Sequence, residues 1–292
     1  MLDFPAARLS PFTATDGENL ALYDWPLPAG SPRRGTVLMV HGLGEHAGRY
    51  GHVAQRLNAW GFAVRGYDQY GHGQSGGRRG ALTSDLRLTN DLADLIDATR
   101  QHMPAGAPLV LLGHSMGGLV AAQLVALKLR PVDALVLSSP ALEARLGGVQ
   151  KLLLATMARL LPDVRVANGL DAHYLSHDPA VVAAYRADPL CHDRISGRLG
   201  RFIANAGPAA TAHAAHWQVP TLLLWAGDDR LVNPAGSAAF AAAAPAALVR
   251  SQCFAPLYHE LFNETPEHAA AVWDSLRQGL DWLLQKGAAS SS

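Results

Sequence analysis

The stretch Val110-Leu-Leu-Gly-His-Ser-Met-Gly-Gly-Leu-Val-Ala121 sets an apolar run against a cluster of small residues with one hydroxyl, Ser115, in its middle. Val110 to Leu112 read as the end of a buried strand and Leu119 onward as a helix. The glycines between them permit a turn too tight for side chains, because glycine has no Cβ. In the pattern Gly113-x-Ser115-x-Gly117 the turn holds the hydroxyl out at the edge of a sheet instead of folding it against its own backbone. That is the posture of a nucleophile. An ordinary strand-to-helix turn has the same local signature, so the rest of the chain has to decide.

Working outward, short apolar runs alternate with longer helical patterns. The runs are TVLMV, FAVRGYD, PLVLL, ALVLSS, TLLLWA and ALVRSQCF. They are continuous rather than alternating, as expected of parallel strands covered by helices on both faces. The intervals carry helical patterns over Arg49 to Trp60, Leu86 to His102, Leu119 to Leu129, Pro234 to Ala244 and Pro266 to Lys286. In the last of these Val272, Leu276, Leu280 and Leu283 recur at helical spacing. An opening hairpin is expected around Asp16-Gly17. The fold class is therefore α/β, a mostly parallel sheet with helices on both faces.

One interval breaks the rhythm. About eighty residues separate Ser139 from Val219, far beyond an ordinary crossover. They contain several helical patterns and no convincing strand. They predict a helical cap inserted at 141–216 into a core formed by 1–140 and 217–292.

Bulk properties narrow the function. The chain has 292 residues, 49% of them hydrophobic, enough for a sizeable core. Lys plus Arg and Asp plus Glu are 24 each, so no charge excess favours nucleic acid or an anionic membrane. MLDFPAARLSPF has no apolar run of secretory length, which predicts a cytoplasmic location. The richest apolar stretch, Leu152 to Leu161, is too short for a membrane span of about 20 residues and contains Arg159. Cys191 and Cys253 form no C-x-x-C pair and are expected to be free thiols.

A serine nucleophile needs a base to take its proton and an acid to orient that base. On α/β-hydrolase sheets these arrive in the order serine, acid, histidine, each beyond the carboxyl end of a later strand. Here TLLLWA runs into Gly227-Asp228-Asp229-Arg230, and ALVRSQCF is followed by Ala255-Pro-Leu-Tyr-His259. Element, end and order coincide. The oxyanion needs two preorganised N–H donors. Met116, at the start of the helix, is one candidate. Leu43, inside the glycine-bracketed loop His41-Gly-Leu-Gly-Glu-His46, is the other.

HGLGEHAGRY (from His41), YDQYGHGQSGGRRG (from Tyr67), GHSMGG (from Gly113) and YHELFNE (from Tyr258) together resemble one branch of the α/β hydrolases. This is the monoacylglycerol lipase and lysophospholipase-like branch, related to the serine aminopeptidase S33-type hydrolases. The resemblance spans nearly the whole chain. It implies that Ser115 is the nucleophile, His259 the general base and acid, and Leu43 and Met116 the oxyanion donors. It also implies a helical cap over the site and a lipid-like ester substrate cleaved through an acyl-enzyme without cofactor. Relatives carry the acid just before an Arg-Leu or similar pair, which selects Asp229 over Asp228. Tyr70 stands where many bacterial members have arginine, a departure that touches local turn contacts.

Several alternatives stand beside this one. His173 and His177 are four apart, but no third ligand stands at a recognised spacing, so no metal is expected. No glycine-rich nucleotide fingerprint is present. A small-ester esterase uses the same triad, and an aminopeptidase would need cap acids for its substrate's ammonium group; Asp171, Asp178, Asp188 and Asp193 are available. A non-catalytic binding protein would be expected to have lost a triad member. The apolar segment Lys151 to Leu161 either packs the cap onto the sheet or lines an acyl channel and meets membranes or lipid aggregates transiently.

Overall fold

In a computed structural model, which describes residues 6–145 and 147–290, eight strands form one sheet. They are β1 (Arg8–Thr13), β2 (Asn19–Trp25), β3 (Gly35–Val40), β4 (Phe62–Tyr67), β5 (Leu109–His114), β6 (Ala134–Ser138), β9 (Thr221–Ala226) and β10 (Val249–Phe254). Their order across the sheet is β1-β2-β4-β3-β5-β6-β9-β10. The β1–β2 hairpin, with its turn at Asp16-Gly17, and the β2–β4 pair are antiparallel. Every other pairing is parallel.

The continuous apolar runs follow from burial on both faces. Side chains alternate across a strand. Leu109 and Leu111 therefore enter one core with Leu38, Leu135 and Leu137, while Val110 and Leu112 enter the other with Val37, Met39 and Val136. The first core is closed by α2 (Arg87–Gln101) and α3 (Met116–Ala126). The second is closed by α1 (Gly51–Ala59) and α8 (Pro266–Ser290). Truncating a fully buried side chain such as Leu111 should cost about 2–5 kcal/mol. Among the described residues no helix is long and apolar enough to cross a membrane.

Two local expectations shift. The α3 helix begins at Met116, a turn before the expected Leu119, because Gly117 and Gly118 open the helix instead of ending the turn. Helix α1 starts at Gly51, after a tight turn of 3₁₀ helix over Ala47–Tyr50.

Between β6 and β9 lie α4 (Gly148–Leu160), β7 (Arg165–Ala167), α5 (Pro179–Ala187), β8 (Arg194–Ser196) and α6 (Gly197–Ala212). The expectation of no strand in this interval is corrected: β7 and β8 pair antiparallel from Arg165 opposite Ser196 to Ala167 opposite Arg194. Three residues are too few to show a period of two in sequence. Helix α6 contributes Leu199, Phe202, Ala206 and Ala210 to the first core, so it is anchored to the sheet layer. Ala158 of α4 is buried, and its backbone lies against Gly197 at the start of α6. The apolar side chains Leu152, Leu153, Leu160 and Leu161 are each more than half exposed. The helix α7 (Pro234–Ala243), N-capped by Asn233, returns the chain to the sheet between β9 and β10.

Candidate active site

The carboxyl ends of β3, β5, β9 and β10 deliver four loops to one edge of the sheet. Ser115 occupies the single position between β5 and α3, with φ 53° and ψ −120°, a conformation that costs a non-glycine residue on the order of 1–3 kcal/mol. Its surroundings hold it there. The Ser115 amide donates to the Ser138 carbonyl (3.0 Å), and its own carbonyl accepts from the Leu119 and Ala141 amides (3.0 Å each). A Cβ on Gly117 would collide with the carbonyl oxygens of Val40 and His41, and one on Gly113 would meet the Gly117 backbone. Glycine at 113 and 117 lets β3, β5 and α3 approach closely enough to force the turn. The Ser115 hydroxyl makes no hydrogen bond among the described residues, and such bonds from a nucleophile commonly tighten only on substrate binding.

Beyond β9, Asp229 is buried and points inward. Its Oδ1 accepts from the amides of Leu231 and Val232 (2.9 and 3.0 Å), which leaves Oδ2 for Nδ1 of His259 at 2.6 Å. Asp228 faces outward and pairs with Arg230 at 2.7 Å. Burial opposes charge on both members of the Asp229–His259 pair. The attraction between them, with their hydrogen bond, nevertheless lowers the Asp229 pKa and raises that of His259, to which Glu260 and Glu45 also contribute. The His114 ring lies 4.7 Å from that of His259; burial first, then the neighbouring His259, pushes its pKa down to about 4. It is thus a neutral wall at ordinary pH.

The loop after β3 is braced by charges to which the sequence reading gave no role. Glu45 Oε1 accepts from the Gly42 amide (2.5 Å) and the Tyr50 hydroxyl (2.7 Å). Arg49 joins Glu45 (2.5 Å) to Glu260 (2.6 and 2.8 Å), the residue after His259. Burial would raise the Glu45 pKa, but Arg49 and the nearby histidines hold it down at about 2. The brace couples the loop carrying Leu43 to the loop carrying His259. Its signal in sequence was the position of Glu260 beside the candidate histidine. His41 and His72 support these loops: His41 Nε2 accepts from the Gln69 amide (2.9 Å), and His72 Nδ1 contacts the Tyr70 carbonyl oxygen (3.0 Å). Tyr70 itself packs under the Arg87 guanidinium, 4.3 Å from its ring centre, away from the site.

The interval between β6 and β9 roofs the site. The His192 amide and the Tyr185 hydroxyl donate to the Gly44 carbonyl (2.8 and 3.3 Å), and Asp188 pairs with His46 at 2.8 Å. Beneath this roof two cavities share Leu43, Ser115, Leu231 and His259 as walls. One, of about 480 Å³, has the polar side chains of Glu45, Tyr185, Asp188, His192 and Asp193 in its wall. The other, of about 580 Å³, is bounded by Met116, Leu153, Leu154, Met157, Ile195 and Ile203. Four of the five candidate residues therefore line the second cavity, and Asp229 stands behind His259. Cys191 and Cys253 are both free; Cys191 lines the first cavity, its thiol pushed up to about 12 by burial.

The model of the serine aminopeptidase S33 hydrolases matches residues 31–266. The chain belongs to this family. It is 38% identical over 257 residues to a monoacylglycerol lipase of Mycolicibacterium smegmatis, an alignment covering 87% of this chain and 90% of that one. The structure of a Paleococcus ferrophilus monoacylglycerol lipase superposes with a TM-score of 0.77 at 31% identity, over 96% of this chain and 99% of that one. A soluble variant of the Saccharomyces cerevisiae monoglyceride lipase, solved with a substrate analogue, shares the fold with a TM-score of 0.86 at 24% identity, over 97% of each chain. This S33-family member is a carboxylic ester hydrolase of the α/β-hydrolase fold.

Proposed function

We propose that the protein cleaves monoacylglycerol-like esters, with Ser115 as nucleophile, His259 as general base and then acid, and Asp229 as the group that orients His259. The observation that carries this reading is the meeting at Ser115 and His259 of two cavities, the first walled in part by acidic side chains that the second lacks. An ester lying across that junction places its acyl chain among Leu153, Leu154, Met157 and Ile203 and its alcohol beside Glu45 and Tyr185. His259 takes the Ser115 proton as the hydroxyl attacks the carbonyl carbon. The oxyanion forms against the amides of Leu43 and Met116, the latter at the positive end of α3. His259 then protonates the departing alcohol, and a water activated by the same imidazole releases the fatty acid.

The charges around the first cavity favour a neutral polyol over the competing headgroups. Asp188 is paired with His46, Asp171 with Arg186 and Asp193 with Arg194, while Asp178 caps α5. The acids an aminopeptidase would use for an ammonium group are thus already engaged. Acidic side chains outnumber the one arginine, Arg186, in the cavity wall, an unfavourable setting for a phosphate. Val149, Leu152, Leu153, Leu160 and Leu161 are more than half exposed on one helix and the turn after it, a surface suited to transient contact with lipid aggregates.

The test is kcat/KM for p-nitrophenyl esters from acetyl to dodecanoyl, beside a monoacylglycerol, a lysophospholipid and an aminoacyl amide. Each buried methylene contributes about 0.8 kcal/mol, so specificity should climb by up to about fifteenfold per two carbons until the channel is full. Leu153→Ser or Met157→Ser should flatten that climb more than it lowers acetyl ester turnover. A steady decline from acetyl onward would leave a small-ester hydrolase in place of a lipid one.

A further inference from the structure

Away from both cavities, three residues distant in sequence converge where the inserted interval meets the start of α8. Glu264 has a fully buried side chain. His177 Nδ1 lies 2.8 Å from Glu264 Oε1, and His268 Nδ1 lies 4.0 Å from Oε2. One ligand atom from each residue falls within 4.8 Å of the others. The two imidazoles meet edge to face, their centres 5.3 Å apart, and His177 is stacked on Tyr258 at 3.7 Å. His268 Nδ1 is buried without a hydrogen-bond partner among the described residues, although the rest of its ring reaches solvent.

The carboxylate is held from behind. Glu264 Oε1 accepts from the Tyr258 amide (2.8 Å), and Oε2 accepts from the His177 amide (3.0 Å), with Ser176 Oγ 3.4 Å away. Such fixing of a ligating carboxylate is what a metal site requires of its surroundings. A tetrahedral ion with bonds of about 2.0–2.1 Å needs ligand atoms roughly 3.3 Å apart. His177 and Glu264 are inside that spacing, and His268, on a partly exposed helix turn, has to close from within 4.8 Å of the other two ligand atoms to reach it. Two imidazoles and one carboxylate are a donor set for a borderline divalent transition metal such as Zn²⁺ rather than for Ca²⁺ or Mg²⁺, which demand oxygen. Both rings reach solvent, which leaves an entry path and a fourth position for water.

We propose that His177, Glu264 and His268 form a binding site for a divalent transition metal of the Zn²⁺ type, which staples the inserted interval to the core behind the catalytic loop. The segment ending at His177 already runs along that loop: Leu175 accepts the Glu260 amide (2.8 Å), and the Ser176 hydroxyl donates to the Asn263 carbonyl (2.8 Å). An ion here fixes the roof without touching reacting atoms. This assignment rests on the folded geometry alone and is independent of the proposed substrate.

The experiment is calorimetric titration of the full chain with Zn²⁺, absorbance of bound Co²⁺ as a report on coordination, and unfolding temperature with and without Zn²⁺. Wild type should bind one ion that is lost, or weakened at least 100-fold, in His268→Ala and in the His177→Ala/His268→Ala pair. Zn²⁺ should raise the unfolding temperature of wild type and not of the pair. His173→Ala, whose ring packs on Tyr174 outside the cluster, should bind as wild type does. His46, Asp188 and Cys191 form a second close group, so an ion that survives the double substitution with unchanged affinity belongs elsewhere and overturns the assignment. Absence of binding below millimolar Zn²⁺ overturns it equally.

Discussion

Replacing Asp229 by Asn keeps the shape of the side chain and changes what its inner atom can do. In the native arrangement Oδ1 is committed to the Leu231 and Val232 amides, so the substituted carboxamide must keep its oxygen there and turn its NH₂ toward His259. A donor then faces His259 Nδ1 at 2.6 Å, where an acceptor stood. The imidazole is driven to the tautomer protonated on Nε2, which cannot take the Ser115 proton. The equivalent change in a serine protease triad lowers turnover about 10⁴-fold, roughly 5.4 kcal/mol of transition-state stabilisation at about 1.36 kcal/mol per decade. Asp228→Asn breaks only a solvent-facing pair with Arg230, of a kind contributing at most about 1 kcal/mol, so its effect should stay below about fivefold. The assay is kcat/KM on p-nitrophenyl butyrate, with circular dichroism to show that both variants are folded. An Asp229→Asn enzyme retaining more than a tenth of wild-type activity, or a larger loss from Asp228→Asn, would refute the placement of the acid.

Ser115→Ala should abolish ester turnover and labelling by a fluorophosphonate while leaving the unfolding temperature unchanged or higher, since it removes a hydroxyl without a protein partner; a labelled serine elsewhere in wild type would reject Ser115. Because His259 must be neutral to act as base and Asp229 raises its pKa, kcat/KM should rise with pH along an acid limb centred above the ordinary imidazole value of about 6.5. In Asp229→Asn the residual activity should have its limb at lower pH, and a wild-type limb centred below 6 would contradict the electrostatics. Leu152→Ser combined with Leu160→Ser should weaken binding to phospholipid vesicles by roughly tenfold or more, each leucine contributing on the order of 1 kcal/mol or more when covered by lipid. Turnover of a soluble acetyl ester should be unaffected.

Much of the molecule was written in short-range patterns. Continuous apolar runs such as Leu109 to Leu112 could only be strands covered on both faces, because alternate residues feed two separate cores. The glycines flanking Ser115 marked a turn that forbids side chains, and the order of Ser115, Asp229 and His259 followed the order of strand ends. These features depend on the period of a strand or the volume of one residue, which neighbours in sequence determine. Other features depended on approach through space. Arg49 and Glu260 are 211 residues apart, and their ion pair exists only because β3 and β10 end at the same edge of the sheet. The β7–β8 pair is too short to have a period. The two cavities are volumes between elements, and no single segment encodes their shape. His177 stood beside His173 in the sequence as a weak helical pair, yet its ring turns instead to Glu264 and His268, 87 residues and more away, because the roof docks there. Tertiary packing chose those partners, since a buried carboxylate must be satisfied by whatever donors the fold brings within hydrogen-bonding distance.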